Sequence, residues 1–290
     1  MSDILVTGAA GFIGKKLIEK LVDQGHNRII SLDNLFSGKR DDYIDGVLYL
    51  EEDTRNILDL ELPFTPEIVF HLGEYSRIAT SFVDIRTVFE FNIRGTFNVL
   101  EFCKLHKCKL IYAGSSSKFG NDGEDENLSP YAWTKSKNVE LIQNYGSWFG
   151  LDYSIAYFYN VYGPGQISWG KYSTVIGVFE SQYSCGHPLT VVSPGTQRRA
   201  FTHVEDVVNG LVALLDKGSG EEFSFGDASS EHSIEEVAQM FTNNFIYINS
   251  KKGDRVGSPL DTSKAEEILG WKAKNKLKDY INAFKEEAGL

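Results

Sequence analysis

A tyrosine and a lysine four residues apart are the first candidates for chemistry in this sequence. Tyr131 and Lys135 open a predicted helix, and their spacing places both side chains on one helical face. A tyrosine, with an ordinary pKa of about 10, is a poor base at neutral pH, but an adjacent ammonium lowers that pKa. Ser115 leaves a predicted strand, where its hydroxyl could bind the same alcohol or carbonyl oxygen. The three residues predict proton transfer at an alcohol, although a Tyr-x-x-x-Lys pair also arises by chance and a serine run is often only a turn.

A glycine turn near the N-terminus predicts a nucleotide site. Gly8 permits a tight turn, Gly11 lets a pyrophosphate approach the backbone, and Gly14 lets helix and strand pack closely. The pyrophosphate would lie at a helix N-terminus, where unpaired N–H groups favour negative charge. Asp33 ends the second predicted strand, and a carboxylate there accepts hydrogen bonds from ribose hydroxyls and repels a 2′-phosphate. The turn therefore predicts NAD rather than NADP, although basic residues at positions 39 and 40 weaken that preference.

Short apolar runs alternate with segments of helical period, which is typical of βαβ units around a parallel sheet. We therefore expect a Rossmann-type α/β fold, a doubly wound parallel sheet with helices on both faces and a smaller C-terminal substrate-binding lid. The predicted strands cover 4–6, 28–32, 47–50, 67–72, 109–113 and 153–158, with a return strand at 223–225. The predicted helices cover 12–22, 85–106, 131–149 and 173–183, and a capping box of Ser233 and Glu236 begins another.

The domain division follows from a change of pattern after residue 160, where turn chemistry replaces the regular alternation. We expect an NAD-binding domain at 1–160 with a return segment at about 200–226. The substrate-binding domain would comprise 161–199 and 227–290.

Composition limits the possible partners. The 290 residues include 29 basic and 40 acidic side chains, a formal net charge of −11, which argues against nucleic acid and anionic membranes. No apolar run approaches the length of a membrane span, and the N-terminus lacks the basic region of a secretory signal. The three cysteines are odd in number and form no C-x-x-C pair. We expect a cytoplasmic protein without a metal.

Several independent motifs together resemble the extended short-chain dehydrogenase/reductase family, specifically its NAD-dependent nucleotide-sugar epimerase/dehydratase group, which includes UDP-galactose 4-epimerase. The resemblance covers nearly the whole chain. The motifs are the turn at 7–14, Asp33-Asn34-Leu35, His71-Leu72-Gly73, the run 92–96, the Ser115 segment, Tyr131 with Lys135, the run 160–164 and Leu269-Gly270-Trp271.

The resemblance implies roles for particular residues. Tyr131 would be the base, Lys135 would hold the nicotinamide ribose, and Ser115 would orient the sugar 4-oxygen. Asp33 would bind the adenosine ribose and Asp53 the adenine edge. The other implied cofactor-binding residues are Gly8, Gly11, Phe12, Ile13, Gly14, Asn34, Thr54, Leu72, Gly73 and Asn92, the last as a support for the fourth and fifth strands. The implied substrate-binding residues are Ser116, Ser117, Asn160, Arg199 and Arg255, the last three at the diphosphate of a nucleotide sugar.

The residues after Ser115 bear on which reaction the family resemblance implies. Members of the group begin by oxidising a sugar carbon, usually C4, to a ketone. Dehydratases carry Asp-Glu directly after the matching serine, and UDP-glucuronate decarboxylases carry a glutamate at the second position, whereas Ser116 and Ser117 stand here. A 4-epimerase is therefore favoured, with a 4,6-dehydratase or 4-dehydrogenase/reductase as the alternative and a non-enzymatic NAD sensor as the second.

Two other features carry expectations from the resemblance. The segment 74–77, Glu-Tyr-Ser-Arg, stands where many epimerases have small residues, and its charges would either contact an unusual sugar or form a surface ion pair. The helices near 85–106 and 131–149 resemble the pair that forms a dimer interface in this family, so we expect a homodimer.

Overall fold

The computed structural model describes residues 2–39, 43–119, 127–250, 252–253, 255–257 and 259–289. The strands within these ranges are β1 (Ile4–Thr7), β2 (Ile29–Leu32), β3 (Val47–Leu50), β4 (Ile68–His71), β5 (Lys109–Ser115), β6 (Tyr153–Phe158), β7 (Val161–Tyr162), β8 (Leu189–Val192), β9 (Arg198–Ala200), β10 (Thr202–His203), β11 (Glu221–Phe225), β12 (Glu231–Ser233) and β13 (Phe245–Ile248). The α-helices are α1 (Phe12–Asp23), α2 (Ile78–Ser81), α3 (Ile85–Val88), α4 (Thr96–His106), α5 (Pro130–Phe149), α6 (Val175–Ser184), α7 (Val204–Ala213), α8 (Ile234–Phe241) and α9 (Leu277–Ala288). Short 3₁₀ turns cover Thr54–Asp59, Ser116–Phe119 and Ala228–Ser230, and π-helical turns cover Phe89–Gly95 and Ala265–Leu269.

One parallel sheet organises the described residues, with the strand order β11-β6-β5-β4-β1-β2-β3. The chain winds outward from β1 through β2 and β3 and then returns to β4 on the other side of β1. The crevice for a ligand in such a sheet lies at this reversal, outside the carboxyl ends of the strands. The predicted doubly wound α/β fold is confirmed, including the return strand at the edge of β6.

Helices cover both faces of the sheet, which is why its central strands β1 and β4 are buried throughout their length and almost entirely apolar. On one face, α1 and α7 contribute the side chains Leu17, Leu21, Val207 and Leu211 to a buried core. On the other face, α4 and α5 contribute Val99, Leu100, Val139 and Ile142. The sheet therefore holds its carboxyl edge as a rigid platform for the loops that follow each strand.

Two predicted helices differ from the observed ones. The helix predicted at 85–106 begins as α3 and continues as α4, but a π-helical turn at Phe89–Gly95 interrupts the regular winding. The helix predicted from 173 begins at Val175, because the Thr174 side chain accepts a hydrogen bond from the Gly177 backbone and caps the helix there. The predicted capping box is present, since Ser233 and Glu236 accept hydrogen bonds from each other's backbone N–H.

The C-terminal part of the chain has an apolar core of its own. Its buried members come from β7, β8 and helices α6, α8 and α9, with Phe201 added: Tyr162, Ile176, Phe179, Leu189, Val191, Phe201, Ile234, Val237, Ala238, Phe241, Leu277 and Ile281. This separate core agrees with a substrate-binding domain built from 161–199 and 227–290, and those boundaries stay a prediction. No helix among the described residues combines the length and the hydropathy needed to cross a membrane.

Candidate active site

A cavity of about 530 Å³ opens at the carboxyl edge of the sheet, a volume typical of small-molecule sites. Its wall extends from the glycine turn, across the ends of β4 and β5, to the C-terminal part of the chain. Most of the sequence-predicted site residues line it: Gly8, Gly11, Phe12, Ile13, Gly14, Asp33, Asn34, Thr54, Leu72, Gly73, Ser115, Ser116, Ser117, Tyr131, Lys135, Asn160, Arg199 and Arg255. Asp53 and Asn92 are not among the lining residues of the described chain.

The glycine turn lies so close to neighbouring backbone atoms that side chains at Gly8 and Gly14 would not fit. A methyl group at Gly8, whose φ is +68°, would lie 2.6 Å from the Leu72 backbone. A methyl group at Gly14 would lie 2.3 Å from the Gly8 carbonyl oxygen. Gly11 precedes α1 and offers no side-chain cap, so the first N–H groups of the helix face the cavity with the positive end of the helix dipole.

Asp33 braces this turn from the end of β2. Its Oδ2 accepts a hydrogen bond of 2.9 Å from the Ala10 N–H, and its Oδ1 accepts one of 2.7 Å from the Leu35 N–H. Asp33 also lines the cavity, directly beside the glycine turn. The predicted ribose contact is therefore compatible with the position of Asp33.

Asp53 is held by protein donors, and the contact to an adenine edge that the resemblance implied stays a prediction. Its carboxylate forms an ion pair with Arg55 at 2.9 Å, caps the following 3₁₀ turn and accepts a hydrogen bond of 2.7 Å from Asn34. Although burial alone raises the pKa of Asp53, these donors hold that pKa below its ordinary value. Asp53 therefore positions two cavity residues, Asn34 and the adjoining Thr54, while its own side chain lies outside the described cavity wall.

Asn92 is also placed behind the cavity rather than in its wall. It is completely buried in the π-helical turn; its Oδ1 accepts from the Tyr75 N–H at 2.7 Å, and its Nδ2 donates to the Thr134 hydroxyl at 3.0 Å. Asn92 thus links the loop after β4 to α5, which agrees with a supporting role. Contact with a cofactor does not follow from this position.

The predicted catalytic residues meet in the cavity wall. Tyr131 lies in the first turn of α5, which starts where the Ser129 side chain accepts a hydrogen bond from the Ala132 N–H. The Tyr131 hydroxyl makes no hydrogen bond to the part of the chain that the structure describes, so it is available to a ligand. Ser115 ends β5, and its Oγ lies 2.9 Å from the Ser117 Oγ.

Lys135 is held from two sides. Its Nζ donates a hydrogen bond of 2.6 Å to the Ala113 carbonyl and forms an ion pair with Glu74. The Glu74 side chain is 1% exposed. The expectation that charges at 74–77 lie at the surface is therefore wrong for Glu74, because three residues from β4 its carboxylate already points into the interior. Its oxygens accept from protein donors, and a contact between this segment and a sugar stays a prediction.

Arg77, the other charge in this segment, lines the cavity. Its Nε donates to the Tyr172 carbonyl at 2.7 Å, and its Nη1 donates to the Ser76 carbonyl at 2.8 Å. Burial lowers the pKa of the Arg77 guanidinium from its ordinary value. The loop that carries Tyr172 therefore joins the C-terminal part of the chain to the loop after β4 across the cavity.

Two more arginines mark the opposite wall. Arg255 donates a hydrogen bond of 2.8 Å from Nη2 to the Ser116 hydroxyl, and Arg199 donates one of 2.8 Å to the Arg198 carbonyl. As whole residues, both arginines are more than nine-tenths buried. Asn160, with a φ of +31°, donates to the Ala200 carbonyl at 3.0 Å and lines the same wall. A buried cluster of guanidinium groups is suited to phosphate oxygens.

Comparison with known proteins agrees with this geometry. The model of the NAD dependent epimerase/dehydratase family matches residues 4–226. The chain belongs to this family. UDP-glucuronic acid decarboxylase 3 of Arabidopsis thaliana is 28% identical over 309 residues, covering 99% of this chain and 89% of that protein. UDP-glucuronate 4-epimerase of Thermodesulfobacterium geofontis is 29% identical over 329 residues, covering 100% and 98%. The structure of Thermus thermophilus UDP-glucose 4-epimerase in complex with NAD has a TM-score of 0.86, with 26% identity and 99% of each chain covered.

The cofactor of this epimerase/dehydratase family is NAD, and the cavity fits it. The turn at Gly8 and Gly14 leaves space that any side chain would fill, and the N-terminus of α1 offers uncapped N–H groups to a pyrophosphate. Asp33 lines the same cavity, where its predicted role is to accept a hydrogen bond from a free ribose hydroxyl and to repel a 2′-phosphate. Glu74 is the site residue whose role the sequence did not reveal; the available signal was a carboxylate three residues beyond the end of β4, in a segment with which the family resemblance associates small residues.

Proposed function

We propose that this protein is an NAD-dependent nucleotide-sugar epimerase that oxidises the sugar at C4 to a 4-keto intermediate and reduces it again on the other face. The observation that carries the proposal is the convergence of Ser115, Tyr131 and Lys135 in one cavity wall beside the glycine turn. A non-enzymatic sensor would not need a buried tyrosine whose hydroxyl remains available in the described structure.

Tyr131 would take the proton from the sugar 4-hydroxyl, and Ser115 would hold the same oxygen through its own hydroxyl. Lys135, one helical turn from Tyr131, would hold the nicotinamide ribose beside that tyrosine. NAD supplies the oxidation of C4 when bound. After the keto sugar has rotated to present its other face, Tyr131 would return the proton to the 4-oxygen. This would complete the epimerisation with no net proton uptake.

The cavity wall favours epimerisation over elimination. Removing water across C5 and C6 needs an acid and a base besides the tyrosine, and the positions next to Ser115 hold only Ser116 and Ser117. The described carboxylates in the wall are Asp33, Glu52 and Glu74. Asp33 and Glu52 flank the predicted adenosine end, where the Asp33 main-chain carbonyl accepts a hydrogen bond from the Glu52 N–H, and Glu74 is held by protein donors. Tyr131 is thus the proton carrier that the described wall provides.

The substrate we propose is a nucleoside diphosphate sugar. Arg199, Arg255 and Asn160 all line the cavity and would hold the diphosphate there, since guanidinium groups are suited to phosphate oxygens. The curated relatives named above act on UDP-glucuronate, and the structural neighbour on UDP-glucose. We further propose a homodimer, and a cytoplasmic location remains our prediction from the cysteine pattern.

The test is to incubate the purified protein and NAD with a panel of UDP-, GDP-, dTDP- and CDP-sugars in D₂O. Products are followed by NMR and cofactor reduction by absorbance at 340 nm. We expect one panel member to yield its C4 epimer without accumulating NADH and without deuterium at C5. Tyr131→Phe should abolish this turnover and leave NAD binding intact.

Other outcomes would contradict the proposal in distinct ways. A 4-keto-6-deoxy product with deuterium at C5 would establish a 4,6-dehydratase. Accumulating NADH would establish a 4-dehydrogenase. Full turnover by Tyr131→Phe would remove that residue from its assigned role.

A further inference from the structure

Glu74 is a buried carboxylate that directly contacts the lysine of the candidate active site. It lies three residues beyond the end of β4, and its side chain is 1% exposed. The Lys135 ammonium has three N–H groups. One binds the Ala113 carbonyl at 2.6 Å and one binds Glu74, which leaves one for a ligand in the cavity that Lys135 lines.

Three uncharged donors fix the Glu74 carboxylate in place. Its Oε1 accepts a hydrogen bond of 2.5 Å from the Thr96 hydroxyl and one of 2.7 Å from the Asn138 amide. Its Oε2 accepts one of 3.0 Å from the Tyr112 hydroxyl. Burial raises the pKa of Tyr112 well above its ordinary value, which keeps that hydroxyl a donor. These donors come from α4, α5 and β5, so three elements of the fold determine where the carboxylate lies.

The negative charge of Glu74 is balanced by Lys135. The nearest other basic group among the described residues is His71, whose Nε2 lies 4.0 Å from Oε1. Burial lowers the pKa of His71 to about 4, so this ring is neutral near pH 7. The Thr96 hydroxyl donates its proton to Glu74, so it can only accept from His71. The neutral His71 ring therefore donates from Nε2 to Thr96 at 2.9 Å and accepts from the Thr7 hydroxyl at Nδ1.

We propose that Glu74 is a positioning residue that fixes the Lys135 ammonium, so that its remaining N–H is directed to the dinucleotide beside Tyr131. The proposal rests on the role given to Lys135 in the proposed function. An isolated lysine side chain has much rotameric freedom, and a partner held by three elements removes it. Glu74 thereby connects the hydrogen-bond chain from Thr7, at the glycine turn, with the residue next to the base.

A double-mutant cycle on NAD affinity tests the proposal without any nucleotide sugar. The variants are Glu74→Gln, Lys135→Met and the double variant, and binding of NAD and NADH is measured by calorimetry and fluorescence. We expect each single variant to bind about 10- to 100-fold more weakly, the range for a lost hydrogen bond to a charged group. The double variant should bind no more weakly than Lys135→Met alone, because Glu74 acts through Lys135. Fully additive losses, or affinity of Glu74→Gln within about 2-fold of wild type, would overturn the proposal.

Two further variants separate positioning from folding. Glu101→Gln is a matched control, because Glu101 also accepts from a tyrosine hydroxyl (Tyr145, 2.6 Å) and pairs with a lysine (Lys104, 2.7 Å), but it does not line the cavity. It should bind NAD as the wild type does. Should Glu74→Gln fail to fold, Glu74→Asp keeps the buried charge but withdraws the carboxylate by one methylene. Positioning predicts at least about 5-fold weaker NAD binding for Glu74→Asp, and unchanged binding would refute it.

Because this cycle uses NAD alone, its result is independent of the sugar panel. A panel without turnover, together with a coupled Glu74–Lys135 cycle, would contradict the epimerase and leave the positioning role standing. An active epimerase in which the Glu74 and Lys135 losses are additive would support the epimerase and contradict the positioning role.

Discussion

Asp33 makes two backbone hydrogen bonds in addition to the ribose contact that we propose for it, and the isosteric change Asp33→Asn perturbs both. The carboxylate accepts from the Ala10 N–H at 2.9 Å and from the Leu35 N–H at 2.7 Å. An asparagine has one acceptor oxygen, so its NH₂ group must face one of these two N–H donors. One buried backbone donor is then left without an acceptor beside the glycine turn.

The size of the effect follows from that lost acceptor. A buried donor left unpaired costs about 1–3 kcal/mol, which corresponds to roughly 5- to 150-fold in affinity if the turn must be restored for NAD to bind. The ribose also loses a charged acceptor. We therefore expect NAD to bind about 100-fold more weakly, whereas NADP should lose less, because the repulsion of its 2′-phosphate is removed.

Fluorescence titration of NADH and NADPH measures both effects, with Asp53→Asn as the matched control. Asp53 pairs with Arg55 and caps a turn outside the described cavity wall, so Asp53→Asn should bind NADH within about 3-fold of wild type. The substitution should instead lower the melting temperature, because a lost cap costs about 1 kcal/mol of the free energy of unfolding. If Asp33→Asn binds NADH normally, or if Asp53→Asn loses as much, the assignment of these two carboxylates is wrong.

Three further predictions concern the turn, the buried histidine and the surface. Gly14→Ala should weaken NAD binding at least tenfold, because the methyl group would lie 2.3 Å from the Gly8 carbonyl oxygen; Gly257→Ala, which meets no atom within 4 Å, is the control. Burial holds the pKa of His71 at about 4, so the folded protein keeps the ring neutral while the unfolded chain binds a proton near pH 6.5. This contribution to the free energy of unfolding is complete above pH 6.5 and falls by about 3 kcal/mol as the pH drops to 4, a loss that urea titrations of His71→Gln should lack. The proposed homodimer would cover apolar side chains of α4 and α5 such as Trp148, which is 61% exposed, so Trp148→Glu should sediment as a monomer at micromolar concentration and the wild type as a dimer.

The parts of the fold that sequence reasoning found are those with a local cause. The strands of the sheet are apolar because helices cover both faces, so their bounds could be predicted within one or two residues. The glycine turn has local causes as well, since Gly8 has a φ of +68° and the Gly8 carbonyl lies beside Gly14, although the Leu72 backbone that also approaches Gly8 belongs to the segment after β4. Tyr131 and Lys135 share a helical face by spacing alone. Each of these features could be derived from one segment at a time.

The remaining features depend on which segments meet. Asp33 and Asp53 are the same residue type near the ends of successive strands, and only the position of Arg55 and Asn34 turns the second carboxylate away from the cavity. Glu74 is buried because β4, α4 and α5 bring Thr96 and Asn138 around it, and those residues are 22 and 64 positions away. No local pattern distinguishes such a carboxylate from one at the surface.

The net charge of −11 and the proposed diphosphate substrate are compatible because they act over different distances. At physiological ionic strength, surface charges are screened beyond about 8 Å, so the acidic surface opposes partners that cover a large area, such as nucleic acid. Inside the cavity, Arg77, Arg199 and Arg255 are partly or almost wholly removed from that screening. A buried guanidinium group presents several N–H donors in a fixed plane, a geometry that matches the oxygens of a phosphate. Glu74 shows the opposite arrangement, because this buried carboxylate neutralises Lys135. Catalysis would therefore depend on the orientation of the Lys135 ammonium rather than on its charge alone.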